Sequence, residues 1–121
     1  PMAKLVTWKS RTSFKDLVDG TSSTILVGEK HVRPPRFGIA QEDGAVYNGD
    51  HPANFSRPGG PGYPLAKSPT DVYRDNFGSY HTGICNFLIA DGSVRSVSVV
   101  IATDVLGKLT NRKDNEVVGE F

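Results

Sequence analysis

Cysteine is almost missing from these 121 residues. Cys85 stands alone, so no intramolecular disulfide can form, and cysteine usage leaves the redox compartment open. No apolar run approaches the roughly 18 residues a membrane-spanning helix requires. No signal-peptide pattern is present. Charge of one sign is also lacking: the formal net charge is +1, with acids and bases interspersed. That balance excludes the basic footprint of a nucleic-acid-binding domain. His31, His51 and His81 lie too far apart for zinc-type spacing. There is no G-x-S-x-G elbow, no Walker-type or dinucleotide-type glycine loop, and no EF-hand pattern. Pro1 stands at the start without an initiator methionine, so the expectation is a fragment of a longer protein.

What is present is organised around His81 to Ile101, which reads as two strands about a tight turn. Ile84 to Ala90 is an apolar run rich in β-formers. From Ser93 to Ile101, Val97, Val99 and Ile101 alternate with Ser96 and Ser98. Asp91-Gly92 between them suits a two-residue type I′ turn, which needs positive φ at both positions. That turn sets the register: Ala90 faces Ser93, Ile89 faces Val94, Phe87 faces Ser96 and Ile84 faces Val99. A hairpin alone is marginal in water, so the rest of the chain must cover it.

Ser13 to Val18 looks like one helical turn, with Ser13 as N-cap. Asp19-Gly20 ends it. Thr24 to Lys30 reads as a strand in which Gly28 marks a bulge or a close backbone approach. Residues 31–80 differ in composition. Seven of the eight prolines lie between Pro34 and Pro69, and seven of the eleven aromatics are here too. Disordered linkers are poor in aromatics, so an ordered loop excursion pinned by its aromatics is expected, with a short strand at Ala45 to Tyr47. Thr103 can cap a helix over Asp104 to Asn111, with Val105, Leu106 and Leu109 on its apolar side. Glu116 to Val118 suits a short edge strand.

Several candidate sites follow. A His81–Asp91 pair fails on geometry, because ten residues of extended strand separate the backbones by about 30 Å. Their roles are then separate and structural: Asp91-Gly92 makes the turn, and His81 pairs at the strand's beginning. Glu29, a buried or rim carboxylate, is the expected partner of His81; the pair ties two strand ends together, with an acid/base site centred on His81 as the less favoured alternative. Calcium is the one metal to weigh, because Asp43, Asp50, Asp71 and Asp75 lie among loop carbonyls. Cys85 shares a strand face with Phe87 and Ile89 and reads as a small buried hydrophobe. Tyr47, Tyr63 and Tyr73 are the loop aromatics most suited to a sugar ring or a neighbouring subunit, although most loop aromatics should pack on their own domain.

His81, nine residues, then Asp91-Gly92 and Ser93-Val94-Arg95 resembles the signature of bacterial prepilin-type proteins with a processing-associated His-x9-Asp-Gly domain. Asp19-Gly20-Thr21-Ser22-Ser23-Thr24 followed by Leu26-Val27-Gly28-Glu29 resembles that family's DGTSNT…GE segment, with Ser23 in place of Asn. Phe77 to His81 with Asn86-Phe87, and Glu116 to Val118, resemble two further pieces. The resemblance implies an N-terminal prepilin-like helix ahead of an outward-facing globular part, export, and an extracellular or cell-surface location. No established activity comes with it.

The expected fold is therefore α+β within one domain, 1–121. An antiparallel sheet dominates it, with the 84–101 hairpin central, one C-terminal helix and a long Pro/Gly-rich loop excursion. The expected function is a non-enzymatic assembly module of a surface protein, whose partners are other subunits of that assembly. Nucleic acid is not expected as a partner, and membrane contact would come only through the missing N-terminal helix. No cofactor is expected beyond possible calcium. The alternative is an extracellular module binding a glycan, a peptide or calcium through the aromatic loop 37–80.

Overall fold

The computed structural model describes residues 21–39, 41–45, 51–73, 75–111 and 121. The expected turn at Ser13 to Val18, Asp19-Gly20, the strand at Ala45 to Tyr47 and the strand at Glu116 to Val118 involve positions outside the described residues. The fold is α+β. A three-stranded antiparallel sheet has the order β1 (Ile25–Gly28), β2 (Ile84–Ile89), β3 (Val94–Ser98), and helix α1 (Thr103–Thr110) follows. Short 3-10 turns occupy Thr21–Ser23, Pro34–Arg36 and Pro52–Asn54.

The β2–β3 register differs by one residue from the expected one. Ile84 pairs with Ser98, Cys85 with Val97, Phe87 with Arg95 and Leu88 with Val94. The connection is three residues long rather than two. The Gly92 N–H donates to the Ile89 carbonyl at 2.9 Å, and the Ile89 N–H donates to the Ser93 carbonyl at 2.8 Å. Gly92 alone in the turn has positive φ, +90°, so the turn is not type I′. The pattern is a type I turn closed by a left-handed glycine. Its physical reason is face parity. Cys85, Phe87 and Ile89 are buried on one strand, and Val97 and Val99 on the other. Residues directly opposed across an antiparallel pair point to the same face, and a two-residue turn would have set Phe87 against Ser96. The extra loop residue puts all five in the core.

β1 is shorter than Thr24 to Lys30. Its pairing with β2 slips at Leu26, between Ile25↔Ile89 and Val27↔Leu88. Gly28 is the close approach: a Cβ there would lie 2.5 Å from the Phe87 ring. Phe77 meets Phe87 edge-on at 5.3 Å between ring centroids. Around Phe87 the core comprises Leu65, Cys85, Ile89, Val97, Val99 and Leu106.

Helix α1 begins one residue earlier than expected. Ala102 is the N-cap with no side-chain cap bond, and Thr103 is the first helical residue rather than the cap. Asp104 in the first turn supplies the favourable charge at that end. Leu106 and Leu109 are fully buried, and Val105 is half-buried. The Thr110 hydroxyl donates to the Gly59 carbonyl at 2.9 Å, tying the loop excursion to the helix.

The loop excursion is not pinned by its aromatics. Phe37, Phe55, Tyr63, Tyr73 and Tyr80 are exposed, and among the described loop aromatics only Phe77 packs against the core. Buried polar side chains hold the loop instead. Arg57 donates from Nε to the Ala53 carbonyl (2.8 Å), from Nη1 to those of His31 (2.8 Å) and Asn76 (3.0 Å), and from Nη2 to that of Glu42 (2.8 Å). The fully buried Asn54 accepts from the Gln41 and Gly44 N–H groups at 3.1 and 3.0 Å. The buried Glu42 carboxylate pairs with Arg33 and Arg36. A proline-rich loop leaves many carbonyls without a ladder partner. Each buried one costs free energy until a donor reaches it, so donors rather than rings decide the loop's shape.

Candidate functional site

The signature residues sit at opposite ends of β2, each with its own partner. At the first end, the backbone between Phe77 and Ile84 is shaped by Ser79. Its hydroxyl donates to the Ile84 carbonyl at 2.6 Å and accepts the His81 N–H at 3.1 Å. This carries the His81 ring to the end of β1, where Nε2 lies 3.3 Å from Oε1 of Glu29. The other Glu29 oxygen accepts the Asn86 N–H at 2.8 Å, and the Glu29 carbonyl accepts the Gly78 N–H at 3.0 Å. Glu29 thus links β1, β2 and the loop before β2. The pair lies at the rim rather than in the interior: the His81 side chain is 55% exposed and that of Glu29 36%.

At the other end, Asp91 Oδ1 accepts the Ser93 N–H at 2.9 Å and the Ser93 hydroxyl at 2.6 Å. These bonds hold its carboxyl below the usual aspartate range. His81 and Asp91 do not touch each other; they engage Glu29 and Ser93. The Cys85 thiol between them is wholly buried, and desolvation pushes its pKa up to about 12, with the Glu29 charge adding to the effect. A thiol so placed is a poor nucleophile at neutral pH.

Beside His81, Tyr80 turns outward. Its ring lies 5.9 Å from that of Phe37, and its hydroxyl donates to the Val32 carbonyl at 3.3 Å. Both rings are more than half exposed, Phe37 53% and Tyr80 55%. Tyr80 is tied to the backbone at Val32, and the two rings together are open to solvent.

The aspartates considered for calcium are dispersed in their bonding. Asp43 accepts the Gly38 N–H at 2.7 Å and lies 3.8 Å from Lys30 Nζ. Asp71 accepts the Lys67 N–H at 2.7 Å and the Ser68 hydroxyl at 2.8 Å. Asp75 acts electrostatically on Arg57. Asp50 lies outside the described residues, as does Tyr47. Among the described residues, no three His, Cys, Asp or Glu side chains converge as a metal site would require. Also among these, no helix is long and apolar enough to cross a membrane.

Tyr63 lines a cavity of about 460 Å³ with Gln41, His51, Ser56, Pro58 and Asp75. Tyr73 lies outside it. Sequence reasoning missed Arg57, Asn54 and Gln41. Their one signal is weak: polar residues among prolines, where unpaired carbonyls need donors.

Over residues 3–104 the chain matches the family described as "Protein of unknown function (DUF1559)". The chain belongs to that family. The matched span takes in the whole sheet, Glu29, His81 and the Asp91-Gly92 turn. No curated protein and no solved structure matches the chain.

Proposed function

We propose that this family member is a non-enzymatic assembly module, the outward-facing part of an exported, prepilin-like surface protein. Its partners are other subunits of the same assembly. Membrane attachment, in this reading, belongs to a hydrophobic helix preceding Pro1. The observation that carries the proposal is the Phe37–Tyr80 pair, two aromatic rings in contact with each other and largely exposed. Aromatic side chains of this kind are the usual anchors of protein interfaces. The His-x9-Asp-Gly resemblance supplies the kind of assembly. The separate bonding of His81 and Asp91 supports structural rather than catalytic roles for both.

Two measurements test it. The complete reading frame is expected to encode a prepilin-type cleavage site followed by an apolar helix. In the native host, the double variant Phe37→Ser/Tyr80→Ser is expected to fold normally and to disappear from the sheared surface fraction. A reading frame without that helix, or a variant that assembles as the parent does, would refute the proposal.

A further inference from the structure

Beyond assembly, the cavity containing Tyr63 has the features of a binding site. Its walls come from four stretches of the loop excursion, Gln41, residues 51–58, Tyr63 and Asp75, and the first two are tied to buried side chains. Gln41 is held by its N–H bond to Asn54 Oδ1 at 3.1 Å, and Ala53 by Arg57 Nε at 2.8 Å. Asn54 and Arg57 are themselves buried. Those two parts of the wall are therefore held without a ligand. Gln41 has φ of +88°, the only positive φ among the described non-glycine residues. Such a backbone is strained, persists only where the surroundings hold it, and clusters at functional sites.

The lining chemistry narrows the ligand. Tyr63 and Pro58 offer apolar surface, while Gln41, His51, Ser56 and Asp75 offer hydrogen-bonding groups. A pyranose ring presents this combination in reverse, with a flat C–H face and a rim of hydroxyls that both donate and accept. At about 460 Å³ the cavity lies in the small-ligand range. Charge separates the remaining options. The Asp75 carboxylate disfavours an anion. The buried Arg57 guanidinium, on which Asp75 acts together with Glu42 and Asp43, partly offsets that carboxylate and weakens the attraction for a cation.

We propose that this cavity binds a neutral sugar of one or two pyranose rings. The site is independent of the Phe37–Tyr80 surface, so either proposal can fail without the other. The test is a nitrogen–proton NMR titration of the chain with methyl glucoside, galactose, N-acetylglucosamine, lactose and cellobiose, each to about 100 mM, which covers the weak millimolar range. The expected result is saturable shifts for at least one sugar, confined to the amides of Gln41, His51, Ser56, Tyr63 and their neighbours. Tyr63→Ala is expected to weaken that affinity by at least about tenfold, the effect of losing a stacked ring. Gln41→Gly relieves the backbone strain, so it should fold at least as well while binding more weakly. No saturable shift with any of the five sugars would overturn the proposal. So would shifts that map elsewhere, or affinity unchanged in both variants. Saturation of the same amides by tetramethylammonium or acetate, with none by sugars, would overturn it too.

Discussion

The turn after β2 rests on two residues with different jobs. Asp91 accepts two bonds from Ser93, and Gly92 supplies the left-handed backbone. A side chain at Gly92 would meet nothing within 4 Å, so substitution there costs conformation alone. Gly92→Val is expected to lose about 1–2 kcal/mol more than Gly92→Asn in urea unfolding. Asp91→Asn keeps the accepting oxygen and should stay within about 0.5 kcal/mol of the parent; a much larger loss would give Asp91 a role beyond the turn. Asp71 provides the pH test. Its carboxylate accepts from the Lys67 N–H and from Ser68, which holds its pKa below the ordinary value. A lowered folded-state pKa favours folding above the unfolded value of about 3.9. That contribution is lost as pH falls through the folded pKa. Melting temperatures followed from pH 6 downward should therefore drop less steeply in Asp71→Asn than in the parent. Cys85 should resist aromatic disulfide reagents at pH 8 and react at the rate of unfolding, since its thiol is buried and its pKa is near 12.

At the scale of elements, the two halves of the fold are held by different forces. The β2–β3 hairpin and α1 share an apolar core around Phe87, Val97 and Leu106. The loop excursion hangs on Arg57 and the four carbonyls it reaches. Arg57→Met is expected to cost about 3–5 kcal/mol, because truncation strands buried acceptors and leaves the nearby carboxylates without their cation. Arg57→Lys should recover little of that, since a point ammonium cannot reproduce a planar fork of donors. Phe55→Ser, at an exposed ring, should change stability by no more than about 0.5 kcal/mol. Chemical unfolding of the three variants orders these effects. Equal losses from Phe55→Ser and Arg57→Met would restore the aromatics as anchors.

For the whole molecule, the architecture was legible where apolar periodicity carries it. Alternation along Cys85, Phe87, Ile89 and along Val97, Val99 identified both strands and their core faces. The same alternation held the correct register too, because it demands that opposed residues share a face; the preference of Asp-Gly for a two-residue turn concealed this. The contact between His81 and Glu29 was legible from strand adjacency, though not its exposure. The Arg57 hub was not legible, since its acceptors at residues 31, 42, 53 and 76 are main-chain carbonyls that leave no mark on residue identity.

The sheet order has a consequence in time. About fifty-five residues separate β1 from the strand it pairs with, whereas three separate the partners of the hairpin's last bond. Closing the larger loop costs on the order of 3–4 kcal/mol of chain entropy, against about 1 kcal/mol for the turn. The hairpin should therefore form first and the docking of β1 should limit folding. In stopped-flow experiments Gly92→Val should mainly slow refolding, and Gly28→Ala should mainly speed unfolding; the reverse assignment would mean that β1 docks early. During synthesis the order is less forgiving. β1 leaves the ribosome ahead of its partner and, at about 5–20 residues per second, waits on the order of 3–11 s for β2 to be made. Throughout that interval the backbone N–H and C=O groups of Ile25 to Val27 have no β2 to pair with, an open strand edge of the kind that favours pairing with other chains.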